Sequence, residues 1–135
     1  MDTLSRAQRS ERMSRVRARD TVPELRVRGL IHRMGYRFRL HDARLPGKPD
    51  LVFPSRRKVI FVHGCFWHRH PAQCALARLP KSRMEFWGPK LESNRLRDQR
   101  NRRELTRLGW KSLVIWECQL AKIDRVAAKI VQFLE

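Results

Sequence analysis

Residues 50–62 read D-L-V-F-P-S-R-R-K-V-I-F-V, and this stretch decides the fold. Two short apolar runs flank a polar turn at residues 54–57, which predicts an antiparallel β-hairpin. A four-residue turn fixes the register of the hairpin to within a residue or two, so Asp50 is expected near Phe61 or Val62. An acidic side chain therefore lies beside the end of a buried strand, at one edge of the sheet.

The pattern outside the hairpin predicts the remaining elements. These are a helix capped by Thr21 and ended by Gly35, a strand over 36–41, a charged helix over 91–108, a strand over 110–116 and a helix with its apolar face between Ile123 and Leu134. The order predicts a single α/β domain over residues 21–135, with a mixed central sheet flanked by helices. Residues 1–20 have few apolar anchors and are expected to form a basic N-terminal arm.

The composition limits what kind of protein this is. The 135 residues include 31 Lys and Arg against 13 Asp and Glu, giving a formal net charge of +18. Such a charge favours a polyanionic partner, above all nucleic acid. No apolar run approaches the length of a membrane span and no signal peptide opens the chain, so a cytoplasmic protein without a membrane partner is expected. Three cysteines cannot all pair, which disfavours a secreted disulfide framework.

Asp50 and the residues beside it predict a hydrolytic site. A carboxylate next to backbone carbonyls suits Mg²⁺. His63 follows the strand directly, and a metal beside a histidine in a phosphate-attracting protein indicates phosphodiester cleavage. The alternative from local sequence alone is that Asp50 only caps the turn.

A second candidate metal site involves every cysteine of the chain. Cys65, His70 and Cys74 have the pattern C-x4-H-x3-C, and Cys118 follows the last core strand. Four such ligands would form a closed tetrahedral Zn²⁺ site that holds the long irregular loop in place. Three buried free thiols are the alternative, and spacing does not decide between His68 and His70.

Three aromatic residues, Phe66, Trp67 and Trp87, lie in or beside this irregular region. Aromatic side chains usually belong to a core. In polar, basic loops, however, they also serve to stack on bases or to wedge between base pairs.

Together these segments resemble the very-short-patch mismatch repair endonucleases. The resemblance lies in L-P-G-K-P-D-L-V-F, V-I-F-V-H-G-C-F-W-H-R-H, E-F-W and L-G-W-K-S-L-V-I-W-E-C, which begin at residues 45, 59, 85 and 108. It implies a restriction-endonuclease-like fold and a Mg²⁺-dependent, strand-specific nick 5′ of the mispaired T in a T·G mismatch. Such mismatches arise by deamination of 5-methylcytosine. The resemblance also implies a monomer that cooperates with mismatch-repair proteins on double-stranded DNA.

The resemblance assigns roles to particular residues. Asp50 and the backbone carbonyl of Val62 would bind Mg²⁺, and His63 and His68 would flank the scissile phosphate. Glu24 and Asp98 would support the site as further acidic residues. The remaining assignments are zinc ligands at Cys65, His70, Cys74 and Cys118, wedging aromatics at Phe66, Trp67 and Trp87, and a DNA-clamping arm over residues 1–20.

The chain departs from the expected pattern in three places. Residues 61–63 lack the acid-x-Lys of the wider restriction-enzyme superfamily, which the mismatch-repair branch also lacks. Val62 stands where Thr is expected, and one extra residue separates His70 from Cys74. Two alternatives follow: a related nuclease with another lesion or sequence preference, and a non-catalytic, zinc-stabilised DNA-binding protein.

Overall fold

The computed structural model describes residues 20–66, residue 68 and residues 84–135, with side chains in the last segment described from residue 88 onward. The described helices and strands are α1 (Val22–Arg33), β1 (Arg39–Leu40), β2 (Leu51–Phe53), β3 (Lys58–His63), α2 (Met84–Arg107), β4 (Lys111–Trp116) and α3 (Ile123–Leu134). Short 3₁₀ helices follow β2 at Pro54–Arg56 and β4 at Glu117–Lys122. The predicted order of helices and strands is confirmed.

The strands form one mixed sheet in the order β1-β2-β3-β4. The first three strands are antiparallel neighbours, and β3 pairs with β4 in parallel. Val52 lies opposite Val59 across the predicted hairpin. The turn closes at Arg57, whose φ of 52° lies in the left-handed region. The mixed sheet and the hairpin are therefore as the sequence predicts.

Successive side chains of each strand point to opposite faces of the sheet, and helices cover both faces. On one face, Leu51, Ile60 and Ile115 form a core with buried residues of α1 and α3. On the other face, Val52, Val59 and Phe61 pack against Leu105 of α2. The sheet is thus the middle of three layers, and consecutive residues of β3 face different helices.

The turn end of the hairpin is fixed to the carboxyl end of α3. Lys58 Nζ donates a hydrogen bond to the carbonyl of Phe133 at 2.7 Å, and Arg56 Nη1 donates one to the carbonyl of Leu134 at 3.2 Å. Both cations satisfy carbonyls that lack partners within the last turn of a helix, and both complement the helix dipole. The hairpin is therefore held at the end opposite Asp50.

Helix α1 begins where the sequence predicts. Thr21 Oγ1 accepts a hydrogen bond from the backbone N–H of Glu24 at 3.4 Å. The Glu24 carboxylate does not return to Thr21 but accepts the N–H of Asp20 at 2.6 Å. The helix ends ahead of Gly35, whose φ of 89° favours glycine. The N-terminus of α1 thereby brings an acidic side chain toward the sheet.

Two element boundaries were wrong. The strand predicted over 36–41 covers only Arg39–Leu40, because β2 offers only three residues to pair with and His41 turns away with a φ of 48°. Helix α2 begins at Met84 rather than Leu91 and runs through Pro89. Gly88 and Pro89 disfavour helix locally, and the structure overrides that preference.

Some sequence predictions fall outside the described residues. They concern the arm over 1–19, Trp67, His70 and Cys74, together with the zinc-held loop to which the last two belong. Among the described helices, none has the length and apolar character needed to cross a membrane.

Candidate active site

Asp50 lies directly before β2, at the sheet edge where β3 ends. Its Oδ2 accepts a hydrogen bond from the backbone N–H of Val62 at 2.6 Å. Its carbonyl accepts a second bond from the N–H of His41 at 3.4 Å. The side chain is 17% exposed. The structure therefore places Asp50 beside Val62, as the hairpin register predicts.

Glu24 reaches the same edge from the first turn of α1. It is buried, and its Oε2 lies 3.2 Å from His41 Nε2 and 2.5 Å from Arg28 Nη2. His41 Nε2 also lies 3.8 Å from Asp50 Oδ1. Arg28 binds Asp20 with the same nitrogen at 2.5 Å. The result is a buried group of two carboxyls, one imidazole and one guanidinium, which we call the acid cluster: Glu24, Asp50, His41 and Arg28.

The two carboxyls of the acid cluster differ in charge. Burial raises the pKa of Asp50, and the neighbouring Glu24 raises it further, while the N–H of Val62 acts in the opposite direction. Burial also acts to raise the pKa of Glu24, but hydrogen bonds from Asp50, the Asp20 N–H and His41 outweigh it and lower the pKa. The pair therefore retains a proton on Asp50 in the absence of a cation.

The acid cluster fits a hard divalent cation. Carboxylate oxygens are the ligands that Mg²⁺ prefers, and two carboxyls that share a proton gain from exchanging it for a cation. The peptide of Val62 lies alongside, because its N–H is bonded to Asp50. Asp20, Glu24 and His41 bring three potential ligand atoms within 4.8 Å of one another. This chemistry makes the edge of the sheet a candidate metal site.

A second cluster lies at the end of β3 and consists of His63, His68 and Asp98, which we call the histidine cluster. The two imidazole rings stack with centroids 3.9 Å apart and planes 5° apart. Asp98 Oδ2 lies 2.5 Å from His68 Nδ1. Trp116 meets the His63 ring edge-on at 5.2 Å. The predicted residues His63, His68 and Asp98 are thus brought together by one strand, one loop and one helix.

His63 is held neutral in this setting. The residue is only 5% exposed, and burial lowers its pKa to about 2, with the charges of His68 and Arg102 contributing. Its Nδ1 is buried and has no hydrogen-bond partner among the described residues. A buried polar atom without a partner is uncommon and costs free energy.

The two clusters lie on opposite faces of the sheet but are separated by a single peptide. Val62 packs in the core beneath α1 and α3, whereas His63 faces α2. The Val62 N–H binds Asp50, and the next side chain belongs to the histidine cluster. The adjacent residues Val62 and His63 therefore join the acid cluster to the histidine cluster at one end of β3.

A pocket of about 250 Å³ opens at the histidine cluster. Its floor comes from His63 of β3 and from Val114 and Trp116 of β4. Helix α2 forms the wall with Arg95, Asp98, Gln99 and Arg102, and His68 completes the lining. The α2 residues follow an i, i+3, i+4, i+7 pattern, so they share one face of the helix.

Two of the four expected zinc ligands meet in the structure. Cys65 is fully buried, and its Sγ accepts a hydrogen bond from the backbone N–H of Cys118 at 3.4 Å. The N–H of Cys65 donates to Glu117 Oε1 at 3.3 Å. A sulfur that accepts a backbone N–H is suited to the thiolate form that binds metal. The meeting of Cys65 and Cys118 fits a zinc site whose other expected ligands, His70 and Cys74, lie outside the described residues.

The structure describes one of the three candidate wedging aromatics. Phe66 follows Cys65 and is half-buried. Trp67 and the side chain of Trp87 lie outside the described residues, although the backbone of Trp87 belongs to the first turn of α2. Their role stays a prediction.

Sequence reasoning missed four polar residues of the two clusters and the pocket. Arg28 follows Glu24 by four residues, so helical spacing alone would have placed the two side chains together. His41 continues the β1–β2 register to a position opposite Asp50. Arg95 and Arg102 share a helix face with Asp98, a signal hidden by the many other arginines of α2.

Comparisons with known proteins identify the family of the chain. A sequence model of the family described as DNA mismatch endonuclease Vsr matches residues 1–75. The type II nicking enzyme V.XorIIP of Xanthomonas oryzae is 50% identical over 134 residues, which cover 99% of this chain and 97% of that protein. The DNA mismatch endonuclease Vsr of Escherichia coli is 45% identical over 119 residues, covering 88% of this chain and 75% of that protein. The type II nicking enzyme V.NmeAIP of Neisseria meningitidis is 40% identical, with 88% and 84% covered. By its sequence and by relatives that match nearly its whole length, this chain belongs to the Vsr family of DNA mismatch endonucleases.

Proposed function

We propose that this protein nicks double-stranded DNA on the 5′ side of the mispaired T in a T·G mismatch and so starts very-short-patch repair. The observation that carries the proposal is the adjacency of Val62 and His63, because the N–H of Val62 binds the carboxyl pair and the ring of His63 belongs to the stacked histidine pair. The family provides the chemical context, and the net charge of +18 suits a DNA substrate. This arrangement supports hydrolysis of a phosphodiester rather than DNA binding alone.

The histidine cluster supplies proton transfer in this proposal. Hydrolysis takes one proton from the attacking water and delivers one to the leaving oxygen as the phosphorus–oxygen bond breaks. Asp98 engages Nδ1 of His68, which leaves Nε2 as the nitrogen for that exchange. His63, neutral and stacked on His68, fixes the plane of the reacting ring. Asp98 is accordingly a positioning residue, and His68 acts on the phosphate.

The acid cluster holds Mg²⁺ in this proposal. Asp50 and the backbone carbonyl of Val62 bind it, and Glu24 supports Asp50 from α1. When bound, Mg²⁺ polarises the phosphate and stabilises the leaving oxygen. Arg28 and His41 fix the orientation of Glu24 through the contacts at 2.5 and 3.2 Å. Val62 acts through its peptide, so the absence of the expected Thr hydroxyl does not remove a ligand.

A nicking assay tests the proposal. Duplexes with a T·G mismatch, and matched T·A and C·G duplexes, are incubated with the protein and Mg²⁺. We expect nicks only in the T·G duplex, only in the T-containing strand, and a loss of nicking on omission of Mg²⁺ or in Asp50→Ala. Equal product from wild type and Asp50→Ala would contradict the assigned site. Binding without any nicking would favour the zinc-stabilised DNA-binding alternative.

A second candidate function differs in specificity rather than in chemistry. Several similar proteins bear the description type II nicking enzyme, and Val62 stands where the resemblance leads us to expect Thr. These observations favour a related nuclease with another lesion or sequence preference. A panel of mismatches in varied flanking sequences distinguishes the two functions, because only the first predicts that T·G is nicked fastest in every context.

We also propose a structural zinc ion bound by Cys65, His70, Cys74 and Cys118. Metal analysis of the purified protein is expected to find one zinc per chain, and Cys118→Ser is expected to lower both the zinc content and the melting temperature. Ser112→Ala is a matched control on β4 that removes a polar side chain without touching a cysteine. A wild-type protein without zinc, and with the same melting temperature as Cys118→Ser, would contradict the proposal.

The remaining expectations complete the proposed setting. The protein acts as a cytoplasmic monomer on mismatched DNA, with the arm over residues 1–20 clamping the duplex and Phe66, Trp67 and Trp87 wedging beside the mismatch. Mismatch-repair proteins are its proposed partners. Sedimentation of the protein with and without a T·G duplex checks the stoichiometry, for which one protein per duplex is expected.

A further inference from the structure

The pocket beside the histidine cluster is lined by two arginines that have no role in the reaction proposed above. Arg95 and Arg102 lie on its α2 wall together with Asp98. The carboxylate of Asp98 is engaged by His68. Two guanidiniums therefore lie on the wall of the pocket.

Arg102 differs from Arg95 in how it is bound. Arg95 forms a two-pronged ion pair with Glu92 on the same helix. Arg102 forms no ion pair among the described residues, and its one recorded hydrogen bond there runs from Nε to Ser112 Oγ at 3.3 Å. That bond anchors the side chain to β4 and leaves the terminal nitrogens as donors. A guanidinium held by Nε with free terminal nitrogens suits the oxygens of a phosphate.

The size of the pocket is an observation independent of its charge. His63 lines the pocket, is 5% exposed, and has a buried Nδ1 without a hydrogen-bond partner among the described residues. A pocket of about 250 Å³ is small for a drug-sized ligand but has room for a phosphodiester group. The size of the pocket and the two guanidiniums on its wall, Arg95 and Arg102, together suit an anion such as a phosphate group.

We propose that Arg102 binds a backbone phosphate of DNA in this pocket and so positions the strand against His68. The proposal deepens the proposed function and rests on it, since the phosphate belongs to the strand that is nicked. Arg102 lines the same pocket as His63 and His68, so a phosphate bound by Arg102 would lie beside both imidazoles. Because phosphate contacts carry no base information, Arg102 contributes affinity and placement rather than recognition of the mismatch.

Equilibrium binding at several salt concentrations tests this role. Wild type, Arg102→Ala and Arg102→Gln are titrated with T·G and T·A duplexes in buffer without added Mg²⁺, so that binding is measured apart from cleavage. We expect both variants to bind about tenfold more weakly at low salt and to lose about one unit from the slope of log K against log salt. The loss should be equal for the two duplexes. Arg102→Lys keeps the charge and should restore most of the slope.

Two matched controls separate the pocket from general effects. Arg125→Ala removes the same charge from an exposed position on α3, across the sheet from α2. Ser112→Ala removes the anchor of Arg102 but no charge. Binding by both Arg102 variants equal to that of Arg125→Ala would overturn the proposal. Gln keeps the aliphatic stem through Cδ and a polar, uncharged end, so failure of Arg102→Ala to fold leaves Arg102→Gln as the deciding variant.

The test also separates this inference from the proposed function. Asp50→Ala is expected to abolish nicking while keeping the wild-type salt slope, because it removes an acidic residue outside the pocket. A protein that nicks no mismatch but shows the Arg102-dependent slope would refute the proposed function and leave the phosphate site standing. If the wild type nicks the T·G duplex but both Arg102 variants keep the wild-type salt slope, the phosphate site is refuted and the proposed function stands.

Discussion

The imidazole rings of His63 and His68 lie nearly parallel, with planes 5° apart and centroids separated by 3.9 Å. Asp98 holds His68 through Nδ1, and Trp116 supports His63 edge-on at 5.2 Å. The stacked pair is therefore fixed from both sides. Its orientation depends on an acidic residue from α2 as much as on the strand that bears His63.

The first prediction concerns Asp98. Asp98→Asn should slow single-turnover nicking roughly tenfold to a hundredfold, because His68 loses the partner that fixes its ring and tautomer, and His68→Ala should slow it by about a hundredfold or more. DNA affinity should change little. Asp124→Asn, an exposed acid on α3, is the control for the change of charge. A normal rate in Asp98→Asn would show that the contact is structural only.

The second prediction concerns Asp50 and pH. Its raised pKa means that the folded protein keeps a proton which the unfolded chain releases at lower pH, so the free energy of unfolding falls as pH rises between the two pKa values. Asn carries no such proton. Without added Mg²⁺, Asp50→Asn should therefore become more stable relative to wild type as pH rises from about 5.5 to about 8, an interval between the ordinary pKa of a carboxyl and the raised pKa of Asp50, which is about 8.

Denaturant midpoints at the two pH values measure this gain. The lowered pKa of Glu24 has the opposite effect on the free energy of unfolding, which it raises at neutral pH. That stabilisation is lost only as pH falls below the ordinary carboxyl range, outside the chosen interval. Asp124→Asn again controls for the loss of one acid. A constant difference between Asp50→Asn and wild type across the interval would rule out the protonated state of Asp50.

The third prediction concerns Arg28. Arg28→Leu should destabilise the protein by about 2 kcal/mol, because Glu24 would stay buried without its nearest cation. Adding Glu24→Gln should recover most of that loss, and a double-mutant cycle on urea unfolding measures the coupling. Arg33→Leu, on an exposed position of the same helix, is the matched control. Additive effects of Arg28→Leu and Glu24→Gln would contradict the coupling.

The fourth prediction concerns Val62. Val62→Thr should leave nicking within about threefold of wild type, since only the peptide of this residue faces Asp50. The variant should lose about 1 kcal/mol of stability, because a hydroxyl enters a site that is 8% exposed and packed in the core. A tenfold rise in nicking rate would instead show that the hydroxyl takes part in the reaction.

The hairpin and its register could be predicted from sequence because short-range rules govern them. The turn after Phe53 fixes the pairing, and the pairing brings Asp50 to Val62. The start of α2 could not be predicted, because Gly88 and Pro89 argue against helix locally while the surrounding fold permits it. Local preferences decide an element only where packing does not oppose them.

The site was predictable where it lies on adjacent strands and less so where helices complete it. Asp50 and His63 follow from the hairpin, and the proximity of Cys65 to Cys118 follows from parallel pairing of β3 with β4. The contacts of Asp98 and Arg102 depend on which face α2 turns to the sheet. That helix contains several other arginines, so no periodic pattern in the sequence distinguished Arg95 and Arg102 from them.

The single peptide between Val62 and His63 has a consequence for how such a protein can change over time. Because side chains alternate along a strand, one residue inserted into or deleted from β3 would exchange the faces of all that follow, separating the carboxyl pair from the imidazole pair. An insertion or deletion of one residue in β3 should therefore abolish nicking.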